Sequence, residues 1–256
     1  MRFSPPYSAY AQVYDRIGQR AFGERMAGVM IEVLAERGFH PRSVLDLGCG
    51  TGSATLAFAR IGLESVGVDC SAQMLERARL HTGAALLTAR FIEANMTDLQ
   101  LTQQFELATC IYDAINYLED EGEVMRFFHS VYRQLTPGGF FLFDMNTRAR
   151  LSSSWEQGLV LAGDSDDLYV TYRSWFDPAS DASPLVMTAF IRDEHGCWQR
   201  YDEEHVERAW PIDQISGWLR EVGFRVHEVF GYIDATGDVQ RPGTEAHGRV
   251  VFVTSR

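Results

Sequence analysis

The hydrophobic pattern changes period twice along the 256-residue chain. From residue 21 to residue 147, short apolar runs alternate with stretches whose apolar positions recur every three or four residues. The runs at 44–47, 66–69, 89–94, 105–111 and 140–143 predict strands, and the stretches at 21–37, 54–60, 72–80 and 121–135 predict helices. Ser71 suits the start of the third of these helices, and Gly38 and Pro137-Gly138-Gly139 stop the first and the last. Residues 7–17 predict a further short helix with Tyr7, Tyr10 and Tyr14 along one face. Strands and helices in strict alternation predict an α/β fold with a doubly wound, mostly parallel sheet. Between 148 and 210 the period becomes two, over 168–176, 184–192 and 198–210. That is the signature of half-exposed strands, and it predicts a small antiparallel sheet inserted after strand 5. The first pattern then resumes with a helix over 211–222 and strands over 224–231 and 249–254. The chain therefore divides into an N-terminal cap and cofactor-binding core (1–147), an antiparallel β insertion (148–210), and a C-terminal part of the core sheet (211–256).

Candidate chemistry concentrates where the first strand turns into its helix. Gly48-Cys49-Gly50-Thr51-Gly52 follows the apolar run at once, and glycines there let the backbone turn sharply and approach a ligand. The second strand ends in Asp69, placed to accept hydrogen bonds from both hydroxyls of a ribose. These features predict a nucleoside site. A dinucleotide fingerprint would need a glycine or alanine at position 53, where this chain has Ser53. Asp46, two residues before the loop, would repel a pyrophosphate but suits an ammonium or a bound water.

Composition narrows the field. The chain is 46% hydrophobic and 23% charged, with a formal net charge of −12. It has no cluster of Lys and Arg of the kind nucleic-acid binding leans on, so no nucleic-acid partner is expected. No stretch approaches the ~20 apolar residues of a membrane span, and the first ten residues lack an apolar signal core. The four cysteines, Cys49, Cys70, Cys110 and Cys197, contain no C-x-x-C pair; reduced, buried thiols in a cytoplasmic protein are expected. On the last inserted strand Tyr201, Glu203, His205 and Glu207 share one face, and a solvated charged face is expected there. His205 lies between acids, but no metal-site spacing accompanies it and no metal is expected.

At these residues the chain resembles the class I S-adenosylmethionine-dependent methyltransferases of small-molecule type. VLDLGCGTG (44–52) is similar to their first motif, VGVDCSAQML (66–75) to their second-strand motif, and L-T-P-G-G (135–139) to a recurrent turn. Ala11, Tyr14 and Asp15 match a cofactor-capping segment. D-A-I-N-Y-L (113–118) is similar to a D-S-x-N-Y-L loop, with Ala114 in place of serine. The resemblance covers most of the chain from about Tyr7 onward. It implies a seven-stranded Rossmann-like sheet whose last strand runs antiparallel between its neighbours. It also implies S-adenosylmethionine as cofactor, S-adenosylhomocysteine as product and a small-molecule methyl acceptor with an N or O nucleophile.

The resemblance further assigns residues. Asp46, Gly48, Cys49, Gly50 and Gly52 would hold the cofactor, with Asp69 on its ribose and Cys70 and Met74 around the adenosine. Asn95, where the family usually has an acid, and Met96 would meet the adenine. The main chain of Cys110, with Tyr112 close by, would meet the cofactor amine, and Tyr14 would cap the sulfonium, a cation suited to an aromatic face. Asp113 and Asn116 would orient the acceptor. The insertion would roof the acceptor pocket or form a homodimer contact, making Tyr172, Arg173, His205 and Arg208 acceptor-side residues. Where a base is required, Asp113, a tyrosine such as Tyr14, or His205 would supply it. Two alternatives remain at this point: a catalytically idle module that binds the cofactor or its product, and an NAD-linked oxidoreductase, against which Asp46 and Ser53 argue.

Overall fold

The computed structural model describes residues 4–85, 87–153 and 159–256. Five parallel strands, β1 (Ser43–Leu47), β2 (Glu64–Asp69), β3 (Ala89–Glu93), β4 (Phe105–Cys110) and β5 (Leu135–Asn146), pair in the order β5-β4-β1-β2-β3. Four further strands follow in sequence, β6 (Leu159–Ser165), β7 (Leu168–Ser174), β8 (Ala182–Arg192) and β9 (Trp198–Arg208), and form a separate antiparallel sheet. The chain then rejoins the first sheet with β10 (Arg225–Ile233), β11 (Asp238–Gln240) and β12 (Arg249–Ser255). β12 lies antiparallel between β10 and β5. The full order is β11-β10-β12-β5-β4-β1-β2-β3. To the seven expected strands the structure thus adds β11, whose three residues are too few to carry a readable period.

Among the described residues the seven α-helices are α1 (Tyr10–Val13), α2 (Arg20–Ala35), α3 (Ser53–Arg60), α4 (Ala72–Ala85), α5 (Glu121–Gln134), α6 (Arg148–Ser153) and α7 (Ile212–Val222). The longer ones cover both faces of the large sheet, while α1 and α6 meet β8 of the small one. The pleat divides the strand residues between two cores. Leu45, Leu47, Phe141 and Phe143 pack with Phe127 and Phe128 of α5 and Leu219 of α7. Val44, Leu107 and Leu142 pack instead with Met26 and Met30 of α2 and Phe58 of α3. Residues of one strand therefore serve opposite sides, and the pleat decides which polar side chain can reach which cavity.

Local differences from the sequence pattern have physical causes. β6 escapes the pattern because it is an edge strand whose side chains are mostly exposed, so no buried face marks it. The predicted helix over 7–17 shrinks to the four residues of α1. Glu203 of β9 is the reason: its carboxylate accepts hydrogen bonds from the backbone N–H groups of Tyr7 (2.9 Å), Ala9 and Tyr10 (2.9 Å), and from the Ser8 hydroxyl (3.1 Å). Ser71 Oγ donates to the Tyr7 carbonyl at 2.9 Å, and Val13 packs into the apolar face of the small sheet. The N-terminal segment is thereby stretched from the small sheet to the start of α4.

The solvated face expected on β9 is corrected by the same contacts. Glu203, His205 and Glu207 are all buried, while Glu204 and Val206 on the other face are exposed. The cysteine expectation also needs correction: Cys49 and Cys110 are buried free thiols, but Cys70 and Cys197 are exposed. No helix among the described residues is long and apolar enough to cross a membrane.

Glu203→Ala is expected to destabilise the protein by about 3 kcal/mol, because several buried N–H groups lose a charged acceptor. Denaturant titration measures that loss, and hydrogen exchange should accelerate over residues 7–14 while β4 and β5 stay protected. Burial raises the Glu203 carboxyl, but nearby His205 and the N–H donors of Tyr10 and Ala9 pull harder and lower it overall. Its contribution is therefore present above the ordinary glutamate range and disappears as pH falls through the lowered value, so mutant and wild type should converge in acid.

Candidate functional site: a cofactor cavity and an adjoining chamber

A cavity of about 420 Å³ opens at the carboxyl ends of β1, β2 and β4, where open α/β sheets bind ligands. Gly48 and Gly50 at its edge have φ of 65° and 53°. A Cβ on Gly50 would meet no protein atom within 4 Å, since that side of the residue is cavity. The Gly50 N–H donates to Asp69 Oδ2, and the Ser71 N–H donates to Asp69 Oδ1, both at 2.8 Å. Burial raises the Asp69 carboxyl, and those two donors oppose the shift. Each carboxylate oxygen keeps a second lone pair for a ligand hydroxyl. Cys70 and Met74 line the same wall, with Asn95 and Met96 across from β3. Asn95 Oδ1 accepts from both the backbone N–H and the hydroxyl of Thr97, at 2.9 Å each. The amide oxygen expected on an adenine amino group is thus engaged as a turn cap, and the side chain's remaining donors are those of its NH₂.

Four of the expected cofactor residues do not line this cavity. Asp46 faces α3 by the pleat of β1; it is 1% exposed, and its two oxygens accept from Thr55 (2.6 Å) and Thr109 (2.9 Å) hydroxyls. Burial pushes it up to about 6 despite those bonds. Cys110 points to the opposite core, among the residues that pack against α5. Cys49 is buried, its sulfur occupying the space where a side chain on Gly67 would stand. Gly52, at φ 79°, lets Phe91 and Ala78 approach to within about 3 Å of where its Cβ would be, so it serves packing. The remaining expected residues, Tyr14 and Tyr112 among them, border the cavity.

A second chamber of about 120 Å³ adjoins the first, and Tyr7, Tyr14, Tyr112 and Tyr117 border both. The small sheet closes it with Tyr172, His205 and Glu207. The ring of His205 meets those of Tyr7 (4.8 Å), Tyr10 (5.4 Å) and Tyr117 (6.0 Å between centroids). His205 Nε2 approaches Glu203 Oε2 at 3.3 Å but lacks hydrogen-bond alignment, and neither ring nitrogen has a hydrogen-bond partner. The Tyr10 and Tyr172 hydroxyls bond each other at 2.6 Å. Burial drives the Tyr14 hydroxyl well above its ordinary range and lifts that of Tyr172 to about 12.

The opposite end of the chamber is ionic. Tyr112 and Asp113 have consecutive positive φ values of 69° and 54°, a conformation that side chains adopt only when their surroundings impose it. Asp144 imposes it by accepting the N–H groups of Tyr112 (2.7 Å) and Asp113 (3.2 Å). Arg249, 2% exposed, binds Asp113 at 2.7 Å, Asp144, and Asp234 at 3.1 Å, and its guanidinium lies over the rings of Phe22 and Tyr112.

Several acceptor-side expectations change. Asp113 does reach the chamber, but already paired with Arg249. Asn116 is fully buried and structural: its amide donates to the carbonyls of Asn146 (3.0 Å) and Arg208 (2.8 Å) and accepts from the Asn146 N–H (2.9 Å). Arg173 is exposed, and Arg208 donates to the Ser180 carbonyl at 2.7 Å; neither lines the chamber. Conversely, Tyr7, Tyr117, Glu207 and Arg249 line the chamber although the family resemblance assigns none of them a role. The available signals were an arginine opening an otherwise apolar strand at 249–254, and Glu207 sharing the β9 face of His205.

Residues 44–139 match the family model described as a methyltransferase domain. A protein of Geobacillus sp. (strain WCH70) bearing a methyltransferase name is 29% identical over 251 residues, covering 98% of this chain and 99% of its own. A second, from Bacillus subtilis (strain 168), is 28% identical over 224 residues, covering 87% and 88%. A solved S-adenosylmethionine-dependent methyltransferase from Clostridium acetobutylicum ATCC 824 superposes with a TM-score of 0.81 at 25% identity, covering 97% of this chain and 98% of that one. Matched domain, fold, cavity and relatives agree in supporting a class I S-adenosylmethionine-dependent methyltransferase.

Proposed function

We propose that the cofactor occupies the larger cavity and that a small molecule in the adjoining chamber receives the methyl group. The observation that carries this reading is the shared tyrosine border: Tyr7, Tyr14, Tyr112 and Tyr117 line both a nucleoside-sized cavity and an adjoining chamber of about 120 Å³. A chamber of that size admits a small molecule or the tip of a larger one. When bound, S-adenosylmethionine supplies an activated methyl group on a sulfonium. The chain's own work is then to hold, align and dry the reactants. In this reading Asp69 holds the ribose, Gly48 and Gly50 give the backbone close approach, and Met74 packs the adenosine. The Asn95 NH₂ pairs with a ring nitrogen of the adenine, and Met96 covers its edge. Tyr14, with Tyr7 and Tyr117, presents ring faces at the boundary, where a sulfonium is attracted to them.

Among the three candidate bases the local chemistry favours His205. Asp113 is held by Arg249, so its part is to position the loop that ends the chamber. Tyr14 keeps its proton near neutral pH because burial raises its hydroxyl, leaving it a donor rather than a base. His205 alone of the three has ring nitrogens without hydrogen-bond partners.

Calorimetric titration with S-adenosylmethionine, S-adenosylhomocysteine and NAD tests the cofactor assignment, followed by a methyl-transfer screen over small amines and alcohols. Asp69→Ala is expected to weaken cofactor binding about 10–100-fold, the loss of two charge-assisted hydrogen bonds; unchanged affinity would remove Asp69 from the ribose. His205→Gln is expected to leave cofactor affinity intact and lower kcat by about 10²–10⁴. A variant retaining the wild-type rate would exclude His205 as the base.

A further inference from the structure

We propose that the chamber takes its acceptor as a protonated amine, with Glu207 as the ion partner and the tyrosine rings as the walls; this rests on reading the chamber as the acceptor site. The charges around the chamber do not balance. Arg249 serves Asp113, Asp144 and Asp234, and Arg150 adds a second contact to Asp234 at 3.3 Å. Those three carboxylates thus share two guanidiniums. Glu207, 7% exposed at the same end, has no cation within ion-pair distance among the described residues. Its carboxylate accepts from the Asn146 amide at 2.7 Å. Burial and the nearby Asp113 carboxylate push Glu207 up to about 8, against the pull of Asn146, Arg249 and Arg150. An incoming ammonium supplies the missing positive charge and returns Glu207 to its ionised form.

Hydrogen-bond capacity selects the same chemistry. Asn146 donates through its NH₂ to Glu207, while its buried Oδ1 accepts from no donor. His205 adds one acceptor nitrogen, since neither ring nitrogen has a hydrogen bond and the neutral imidazole keeps its proton on the other, Nε2 lying 3.3 Å from Glu203 Oε2. The chamber therefore holds a carboxylate, an amide oxygen and an imidazole that want donors. An ammonium offers three; a hydroxyl offers one, and a carboxylate offers none. The rings of Tyr7, Tyr10 and Tyr117 around His205 favour a cation as well.

The chemistry balances. One ammonium N–H bond breaks, its electron pair stays on nitrogen, and the proton passes to His205. The freed pair forms the N–C bond to the methyl carbon while the S–C pair departs to sulfur, turning a sulfonium into a neutral thioether. The methylated nitrogen carries the positive charge, so Glu207 keeps a partner from acceptor to product.

The test uses protein saturated with S-adenosylhomocysteine and three probes of one shape: cyclohexylamine, cyclohexanol and cyclohexanecarboxylate. Binding is followed by ligand-observed NMR. Wild type should prefer the amine at least tenfold over either analogue. Glu207→Gln should lower amine affinity about tenfold or more with cyclohexanol and S-adenosylhomocysteine affinities unchanged, and Glu207→Asp, which keeps the charge, should restore much of the preference. Equal or tighter binding of the alcohol or the acid overturns the proposal, as does a Gln variant that keeps the amine preference. Failure of cyclohexylamine to bind at millimolar concentration overturns it too. Each of these leaves the cofactor assignment standing, whereas a wild-type protein that does not bind S-adenosylhomocysteine removes both readings together.

Discussion

The buried guanidinium of Arg249 is the contact on which the arrangement of the site depends. A cation taken out of water needs opposite charge and hydrogen bonds around it, and removing one partner leaves a costly orphan. Arg249 finds three carboxylates from three separated parts of the chain: Asp113 after β4, Asp144 in β5 and Asp234 after β10. Asp144, raised to about 6 by burial but held by Arg249, in turn accepts the N–H groups of Tyr112 and Asp113. The two left-handed residues are therefore clamped from the backbone side and the side-chain side at once. Their position puts Tyr112 between the two cavities and Asp113 at the floor of the smaller one.

A second ionic contact closes the site from above. Glu203 gathers the N-terminal segment onto β9, and that segment carries Tyr7, Tyr10 and Tyr14 across the opening. Tyr10, which opens α1, and Tyr14, its C-cap, meet along one helix face at 5.3 Å, while Tyr7 lies before the helix and meets Tyr10 at 5.7 Å. The small sheet thus has two effects: it anchors that segment through Glu203, and it lends His205 and Glu207 to the chamber. Adjacent side chains on one face of one strand are 2 residues apart, so anchoring and chamber chemistry are mechanically linked.

The division of labour between the cavities follows from their walls. The larger has an apolar floor with a few polar groups aimed by backbone geometry, above all Asp69, held by the Gly50 and Ser71 N–H groups. The smaller is walled by tyrosines at one end and ionised at the other. Transfer from a sulfonium demands alignment and exclusion of water more than acid–base power. Rings and clamped ion pairs border the chamber, and the two ring nitrogens of His205 are left without hydrogen bonds.

Local signals in the sequence were sufficient for the frame. Strand and helix periods, the glycine turn and the acid ending β2 all act within about 30 consecutive residues, and each has the same meaning whatever packs on it. The parallel strands of the sheet and the cavity wall around Gly48, Gly50 and Asp69 were legible for that reason, whereas the antiparallel last strand was implied only by the family resemblance. What depended on the third dimension was the side each polar group faces and what it meets there. Asp46, one pleat step from Leu47, turns away from the ligand and onto Thr55 and Thr109. Asn95 caps its own turn, and Asn116 ties the ends of β5 and β9 together. The acids and histidine of β9, which alternate as a solvated face would, are buried because residues 7–14 fold over them. Arg249 meets Asp113 across 136 residues. Such pairings join partners distant in sequence, and a charged residue has the same letter whether water or another charge neutralises it. Only the tertiary structure decides which.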